Sequence, residues 1–229
     1  FINRWIEGSV RPWFSFELAS DGGRIHFYIW TRRKFREIVE AQIYAQYPNV
    51  EIYEAEDYAM NLRYDPDKHN AWGCDFELAK ADPYPIRTYI DYELDRDPKE
   101  EYKIDPIAHL FEFLSTIKPG ERVWYQILIQ VNKDVRTAPG HFFKKEARWK
   151  AEAKDEVKNI RDSATPKITD AEGNTRPGFM SLTPSQTEQI EAIERSTGKQ
   201  GYDTGIRAVY IADKDNFRGV TISGMTGVF

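Results

Sequence analysis

Residues 196–199, with the sequence Ser-Thr-Gly-Lys, contain the residue types of a phosphate-binding loop. A Walker loop also needs a glycine five positions before the Gly-Lys pair and a serine or threonine directly after it. Those two positions hold Ile193 and Gln200. The segment is therefore interpreted as the C-terminal cap of a helix, where a glycine commonly ends the last turn. Nucleotide hydrolysis is not predicted.

Metal-binding and nucleophilic chemistry has little support in the sequence. The single cysteine, Cys74, alternates with Phe76 and Leu78, which indicates a small core residue and not a nucleophile. The acidic residues within 54–57 are interpreted as a solvated strand end, although paired carboxylates also serve in acid–base catalysis. Four histidines are scattered without the spacing of a metal site: His26, His69, His109 and His141. We predict no catalytic residue, no cofactor and no metal.

The segment 141–164 predicts a long helix because it is rich in alanine, lysine and glutamate. Within 141–161, seven lysines and arginines stand against four acidic residues. One basic row supplies the candidates for phosphate contact: Lys150, Lys154, Lys158 and Arg161. A narrow apolar stripe supplies candidates for partner binding: Trp149, Val157 and Ile160, with Ala153 between them. Phosphate binding, contact with a partner or membrane surface, and simple solvation all stay open for this helix.

Composition limits the classes of function. The formal net charge of -5 and the pI near 5.5 argue against a protein whose whole surface binds nucleic acid. The single cysteine excludes an internal disulfide and a multi-cysteine zinc site. The sequence contains no apolar run of about 18 residues, as a membrane-spanning helix requires. Because the chain opens on Phe1 without a methionine, we expect it to be a piece of a longer protein.

The segment 11–58 predicts the order strand, tight turn, strand, helix, strand. Alternating apolar residues and an Asp-Gly-Gly turn at 21–23 indicate an antiparallel hairpin. We expect the helix that follows Thr31 to pack on the sheet, and residues 50–53 to form the next strand. The second face of the hairpin is aromatic and supplies further candidates for partner binding: Trp13, Tyr28 and Trp30.

The later segments predict a second set of elements. Strands are expected at 74–78, 86–92, 123–131 and 205–212, and the apolar strand 123–131 should lie at the centre of its sheet. Helices are expected after Pro106 and from Pro184 to Thr197, where a capping box precedes the helix. This order predicts an α+β fold of two packed ferredoxin-like halves. The halves are residues 1–82 and residues 83–229, with 141–164 as a helical insertion.

A family resemblance rests on three phrases in the first half. They are the hairpin phrase at 21–28 (DGGRIHFY), the helix end at 40–48 (EAQIYAQYP) and the segment 54–58 (EAEDY). They resemble the pre-ATPase domain of bacterial type IV secretion and conjugation proteins. The phrases at 82–86, 97–101 and 118–121 also resemble an uncharacterised membrane-anchored family that shares this domain.

The resemblance implies an assembly domain on the cytoplasmic side of the cell membrane. Such a domain acts through protein partners and forms homo-oligomers, and its membrane segments lie outside this chain. One alternative is an accessory domain of a longer secretion or DNA-translocation ATPase. Another is a nucleic-acid-binding module that uses the basic helix. The resemblance transfers no catalytic residue, because the Walker loop of the ATPase-bearing members is missing here.

We predict that the isolated chain has no saturable site for ATP or for a divalent metal ion, because it has neither a phosphate loop nor a spaced set of ligands. Isothermal titration calorimetry with ATP–Mg²⁺ and with Zn²⁺ checks this prediction. A saturable isotherm near one site per chain would contradict it.

Overall fold

The computed structural model describes residues 11–88, 90–92, 105, 107–137, 145–169 and 175–227. The chain divides into two compact units. The first unit takes residues 1–77, 104–131 and 203–229, and the second takes residues 78–103 and 132–202.

A five-stranded sheet forms the centre of the first unit. Its strands are β1 (Trp13–Asp21), β2 (Arg24–Trp30), β3 (His69–Phe76), β4 (Glu121–Val131) and β9 (Tyr202–Asp213). Their order across the sheet is β2-β1-β4-β9-β3. β1 runs antiparallel to β2 and to β4, and β3 runs antiparallel to β9. β9 ends where β4 begins: the N–H of Asp213, the last residue of β9, donates to the carbonyl of Gly120, directly before β4, at 3.0 Å. The two strands therefore also run antiparallel.

The hairpin between β1 and β2 is confirmed. Gly22 and Gly23 have φ angles of 57° and 87°, a conformation that favours glycine and that matches the twist of a two-residue hairpin turn. A Cβ on Gly23 would lie 2.9 Å from the carbonyl oxygens of Ser115 and Ile117. The turn therefore needs glycine for its backbone angle and also for its close contact with the chain before β4.

Two short helices cover one face of this sheet. They are α3 (Ala108–Ser115) and α6 (Gly219–Gly227), and the other helices are α1 (Arg36–Gln46), α2 (Tyr58–Asn61), α4 (Arg148–Ser163) and α5 (Pro184–Thr197). Leu114 of α3 and Met225 of α6 are fully buried against Val123 and Tyr210 of the sheet. α3 begins close to the predicted Pro106, although Pro106 itself lies outside the described residues. The helix α6 was not predicted, because its glycines and hydroxyl residues weaken the helical pattern of the sequence.

A buried ion pair joins the elements at one end of β4. The Glu121 side chain has no exposed surface, and it accepts hydrogen bonds from Arg218 Nε at 2.9 Å and Arg218 Nη2 at 2.6 Å. The Tyr210 hydroxyl donates to Glu121 at 2.6 Å, and the Lys118 N–H donates at 2.9 Å. Burial by itself raises the pKa of Glu121, but these hydrogen bonds outweigh burial and hold the pKa below its usual value.

In the second unit, α4 packs against α5. Val157 and Ile160 of α4 form an apolar cluster with Ile190 and Ile193 of α5. The predicted capping box is confirmed, since Thr183 accepts from the Gln186 N–H while the Gln186 side chain accepts from the Thr183 N–H. This unit also contains two small antiparallel strand pairs: β5 (Val135–Thr137) with β6 (Lys145–Ala147), and β7 (Lys167–Thr169) with β8 (Thr175–Pro177).

The α+β class and the central position of β4 are confirmed, but separate ferredoxin-like halves are not found among the described residues. The sheet takes β1, β2 and β3 from residues 1–82 and β4 and β9 from residues 83–229. The strand order depends on pairing between segments that are distant in sequence. Local sequence patterns do not specify such pairing. The helix predicted at 141–164 spans Arg148–Ser163, with β6 before it, and residues 141–144 lie outside the described residues.

Three further local predictions are wrong. Residues 50–53 form no strand, and Val50 and Tyr53 are 41% and 74% exposed. The described part of 86–92 forms no strand, because the Asp91 N–H bonds back to the Thr88 carbonyl and closes a turn. The helix α1 forms near its predicted place, yet none of its residues is buried. Ile38 and Tyr44 are exposed, and Val39 and Ile43 are only half-buried, so α1 buries little apolar surface on the sheet.

We predict that Glu121→Gln lowers the free energy of unfolding by roughly 2 kcal/mol at neutral pH, because the buried carboxylate loses its charge-assisted hydrogen bonds with Arg218, whose own side chain is 35% exposed. Because the folded-state pKa of Glu121 is depressed, the contribution is full above the unfolded-state pKa. It is lost as the pH falls through the folded-state value. Urea denaturation at pH 7 and below pH 4 measures both effects. The control Glu112→Gln, on the exposed side of α3, should change stability by less than about 0.5 kcal/mol.

Candidate functional site

The strand β2 lies at an edge of the sheet and presents large apolar side chains to solvent. Phe27 is 68% exposed and Trp30 is 46% exposed. Phe27 pairs with Leu18, which is buried, and its ring contacts Phe111 of α3 edge-on at 5.6 Å. We define the edge patch by its four exposed apolar residues: Phe16, Phe27, Ile29 and Trp30. Such a patch on an edge strand is typical of an interaction surface.

The aromatic second face of the hairpin is only partly covered. Trp13 and Trp30 stack with their ring centroids 3.9 Å apart and their planes 14° apart. Tyr28 is half-buried, because Tyr58 of α2 packs over it at 4.8 Å. Tyr58 also meets Trp124 edge-on at 5.0 Å. Of the three predicted candidates on this face, Trp30 is therefore the one with the most open surface, while Tyr28 already contacts another part of the chain.

A polar contact lies beneath this aromatic cover. The Tyr58 hydroxyl donates to Glu17, and Gln126 Nε2 donates to Glu17 at 3.2 Å and to the Tyr58 oxygen at 2.9 Å. Burial and then the hydrogen bond to Glu17 raise the pKa of Tyr58 far above its usual value. The phenol thus stays protonated at neutral pH. The cluster fixes α2 on the sheet.

The predicted apolar stripe of the second unit is covered by the chain itself. Val157 and Ile160 are each 7% exposed, because α5 packs over them. Trp149 is half-buried and lies so close to Gly201 that a Cβ there would be 2.5 Å from the indole Nε1. A partner would reach Val157 or Ile160 only by separating the two helices.

The predicted basic row lies partly in a groove of about 320 Å³ between α4 and α5. Lys154, Lys158 and Arg161 line this groove together with Asp162 and Glu194. Lys154 forms an ion pair with Glu146 at 3.2 Å, and Arg161 forms one with Glu194 at 3.1 Å.

Lys150 lies apart from the lining residues of the groove. Its Nζ is 5.2 Å from the centre of the Trp149 ring. Two of the four cations are thus already paired with carboxylates. Phosphate binding by this row stays a prediction.

A second cavity, of about 430 Å³, has an acidic lining that includes Asp82, Glu152 and Glu156. The Tyr84 hydroxyl donates to Glu156 at 2.6 Å, and this bond raises the pKa of Tyr84. Among the described residues, no group of three or more His, Cys, Asp or Glu side chains is arranged to hold a metal ion. The cavity therefore carries no argument for a metal site.

Of the four residues of the edge patch, only Trp30 was among the candidates predicted from the sequence. Phe16, Phe27 and Ile29 were not among those candidates, although they are 42%, 68% and 39% exposed. Alternation identifies which residues share a face, but it does not say which strand is at the edge. The sequence did contain one signal for this exposed surface. β2 has apolar or aromatic residues on both of its faces, whereas a strand with one face on the core is usually polar on the other face.

These features define an α+β domain with a five-stranded antiparallel sheet and an exposed aromatic edge. The chain belongs to the family described as "Domain of unknown function (DUF8128)", whose model matches residues 3–229. Comparisons with curated proteins and with solved structures find no match. Within the described residues, every helix is too short or too polar to cross a bilayer.

We predict opposite outcomes for two tryptophan substitutions. Trp149→Ala should lower the melting temperature, at a cost of about 2–3 kcal/mol, and leave the oligomer distribution unchanged, because this ring packs inside the second unit. Trp30→Ala should instead weaken association by about 2 kcal/mol, with a smaller change in melting temperature. Sedimentation velocity and melting curves on both variants check the pair. Weaker association of Trp149→Ala with an unchanged melting temperature would contradict the assignment.

Proposed function

We propose that this chain is a non-catalytic assembly domain that acts through protein contacts and self-association. The observation that carries the proposal is the edge patch on β2, where Phe27 is 68% exposed beside two other apolar residues of the same strand. Burial of apolar surface contributes about 25 cal/mol per Å², so each such side chain contributes substantially when an interface covers it. Edge strands of this kind pair readily with another chain unless a charge, a proline or a bulge prevents it.

The family resemblance supports a proposal about where in the cell this domain assembles. The phrases at 21–28, 40–48 and 54–58 resemble the pre-ATPase domain of type IV secretion and conjugation proteins. We therefore propose a membrane-anchored protein related to that machinery, with this domain on the cytoplasmic side of the membrane. Its membrane contact would come from segments outside this chain. The first of these phrases covers most of β2, so the resemblance and the edge patch concern the same part of the molecule.

The proposed absence of catalysis rests on the state of the titratable groups. Glu121 is fully occupied by Arg218, Tyr210 and a backbone N–H. The pKa of Cys74 is raised by burial, which disfavours the thiolate that a nucleophile needs. The alternative, an accessory domain of a longer ATPase, would have the same properties. The full reading frame distinguishes the two proposals, because an ATPase would contain a Walker loop outside this chain. For the nucleic-acid alternative, the ion pairs of Lys154 and Arg161 are unfavourable.

We predict that the chain self-associates and that Phe27→Asp weakens the association at least tenfold, because it places a charge in the edge patch. Sedimentation velocity across a concentration series measures the change. The matched control is Tyr53→Asp, which changes an equally exposed aromatic residue outside the patch and should leave association unchanged. A wild-type chain that stays monomeric up to about 100 µM, or equal losses in both variants, would contradict the proposal.

A further inference from the structure

The outer edge of β2 is suited to pairing with another strand. Among the described residues, no strand pairs with β2 on the side away from β1. Its seven residues include no proline and no lysine, the residues that commonly prevent edge-to-edge pairing. Arg24 and His26 are its only basic side chains, and it has no acidic one.

The hairpin turn determines which backbone groups face outward. Asp21 and Arg24 flank a two-residue turn, so they form a hydrogen-bonded pair, and hydrogen-bonded and non-hydrogen-bonded pairs then alternate along the antiparallel ladder. The pairs of Ile25, Phe27 and Ile29 with β1 are consequently the non-hydrogen-bonded ones. The N–H and C=O groups of these three residues therefore point to the free edge. They are spaced symmetrically about Phe27, the middle residue of the strand.

We propose that β2 pairs antiparallel with β2 of a second copy of this chain, about a two-fold axis at Phe27. This inference rests on the proposed function and specifies how the assembly forms. Phe27 then faces Phe27 of the second copy, and Ile25 faces Ile29. All outward backbone groups of the three residues form hydrogen bonds, and the two five-stranded sheets become one continuous sheet.

The side chains are complementary in this register. On one face the facing pairs are entirely apolar, because Phe27 meets itself and Ile25 meets Ile29. On the other face Arg24 lies opposite Trp30, a pair that gives a cation–π contact, and His26 lies opposite Tyr28. No pair brings like charges together.

Neighbouring registers are poorer. An axis at His26 sets His26 against itself and leaves Ile29 and Trp30 without a facing residue. An axis at Tyr28 leaves Arg24 and Ile25 without one. Only the axis at Phe27 pairs all seven residues of the strand. With apolar residues facing apolar ones and no like charges together, β2 is complementary to a second copy of itself.

Cysteine cross-linking tests the register. In a Cys74→Ala background, chains carrying His26→Cys are mixed with chains carrying Tyr28→Cys and are oxidised. These two positions form a non-hydrogen-bonded pair in the proposed register, with Cα atoms about 4.5 Å apart, a distance that a disulfide spans. We expect a disulfide-linked dimer in the mixture. Either variant alone should form little of this dimer, because its two cysteines lie diagonally across the strand pair with Cα atoms more than about 7 Å apart.

Charge reversal supplies a second test that does not depend on oxidation. Phe27→Lys and Phe27→Glu should each lose association, because like charges face each other across the axis. Mixing the two variants should restore association at least tenfold relative to either alone, which a folding defect would not produce.

Each remaining outcome overturns the inference. Cross-linking of His26→Cys with itself would show a different register. Absence of cross-linking and of charge rescue, in a chain whose association Phe27→Asp still weakens, would mean that the edge patch binds without strand pairing. The proposed function would then stand, whereas a monomeric wild-type chain would remove both.

Discussion

The buried Glu121 carboxylate is the interaction on which the first unit depends. Glu121 begins the central strand β4, Tyr210 belongs to the neighbouring β9, and Arg218 directly precedes α6. The Glu121 side chain thus connects β4 to a strand and a helix, and its partners Tyr210 and Arg218 lie 89 and 97 residues further along the chain. An unpaired buried carboxylate costs several kcal/mol, so the chain forms this network only when all its partners are in place. The requirement fixes α6 against the same end of the sheet as α3.

The exposed edge follows from this arrangement. α3 has 8 residues and so spans about 12 Å, whereas the 11 residues of β4 span roughly 37 Å. The helices therefore cover Leu18 and Val123 near one end and leave Phe16 and Ile29 open toward the other. On the opposite face α2 covers Tyr28 and Trp124. Phe16 and Ile29 are therefore apolar surface that short helices leave on long strands, whereas Phe27 is exposed because β2 is the edge strand.

The sequence predicted elements whose signals are local. The glycine turn, the apolar strand β4 and the capping box at Thr183 each depend on residues within a few positions, and all three are found. Elements that depend on distant partners were missed, such as the pairing of β9 with both β3 and β4. The same limit applies to the candidate site. Trp30 was identified by its type, but the exposure of Phe27 depends on β2 being the edge strand, which only the assembled sheet reveals.

Charge gives the edge a further property that bears on assembly. Two copies of a chain with a net charge of -5 repel each other at long range, and this repulsion opposes association through most of the surface. β2 is an exception, because it has no acidic side chain and its only basic side chains are Arg24 and His26. Pairing of two β2 strands therefore brings no carboxylates of the strands together. It places Arg24 opposite Trp30 of the second copy, where the two side chains can form a cation–π contact. In the proposed dimer, a net negative charge that disfavours random contact and an edge strand without acidic residues would together favour association through β2.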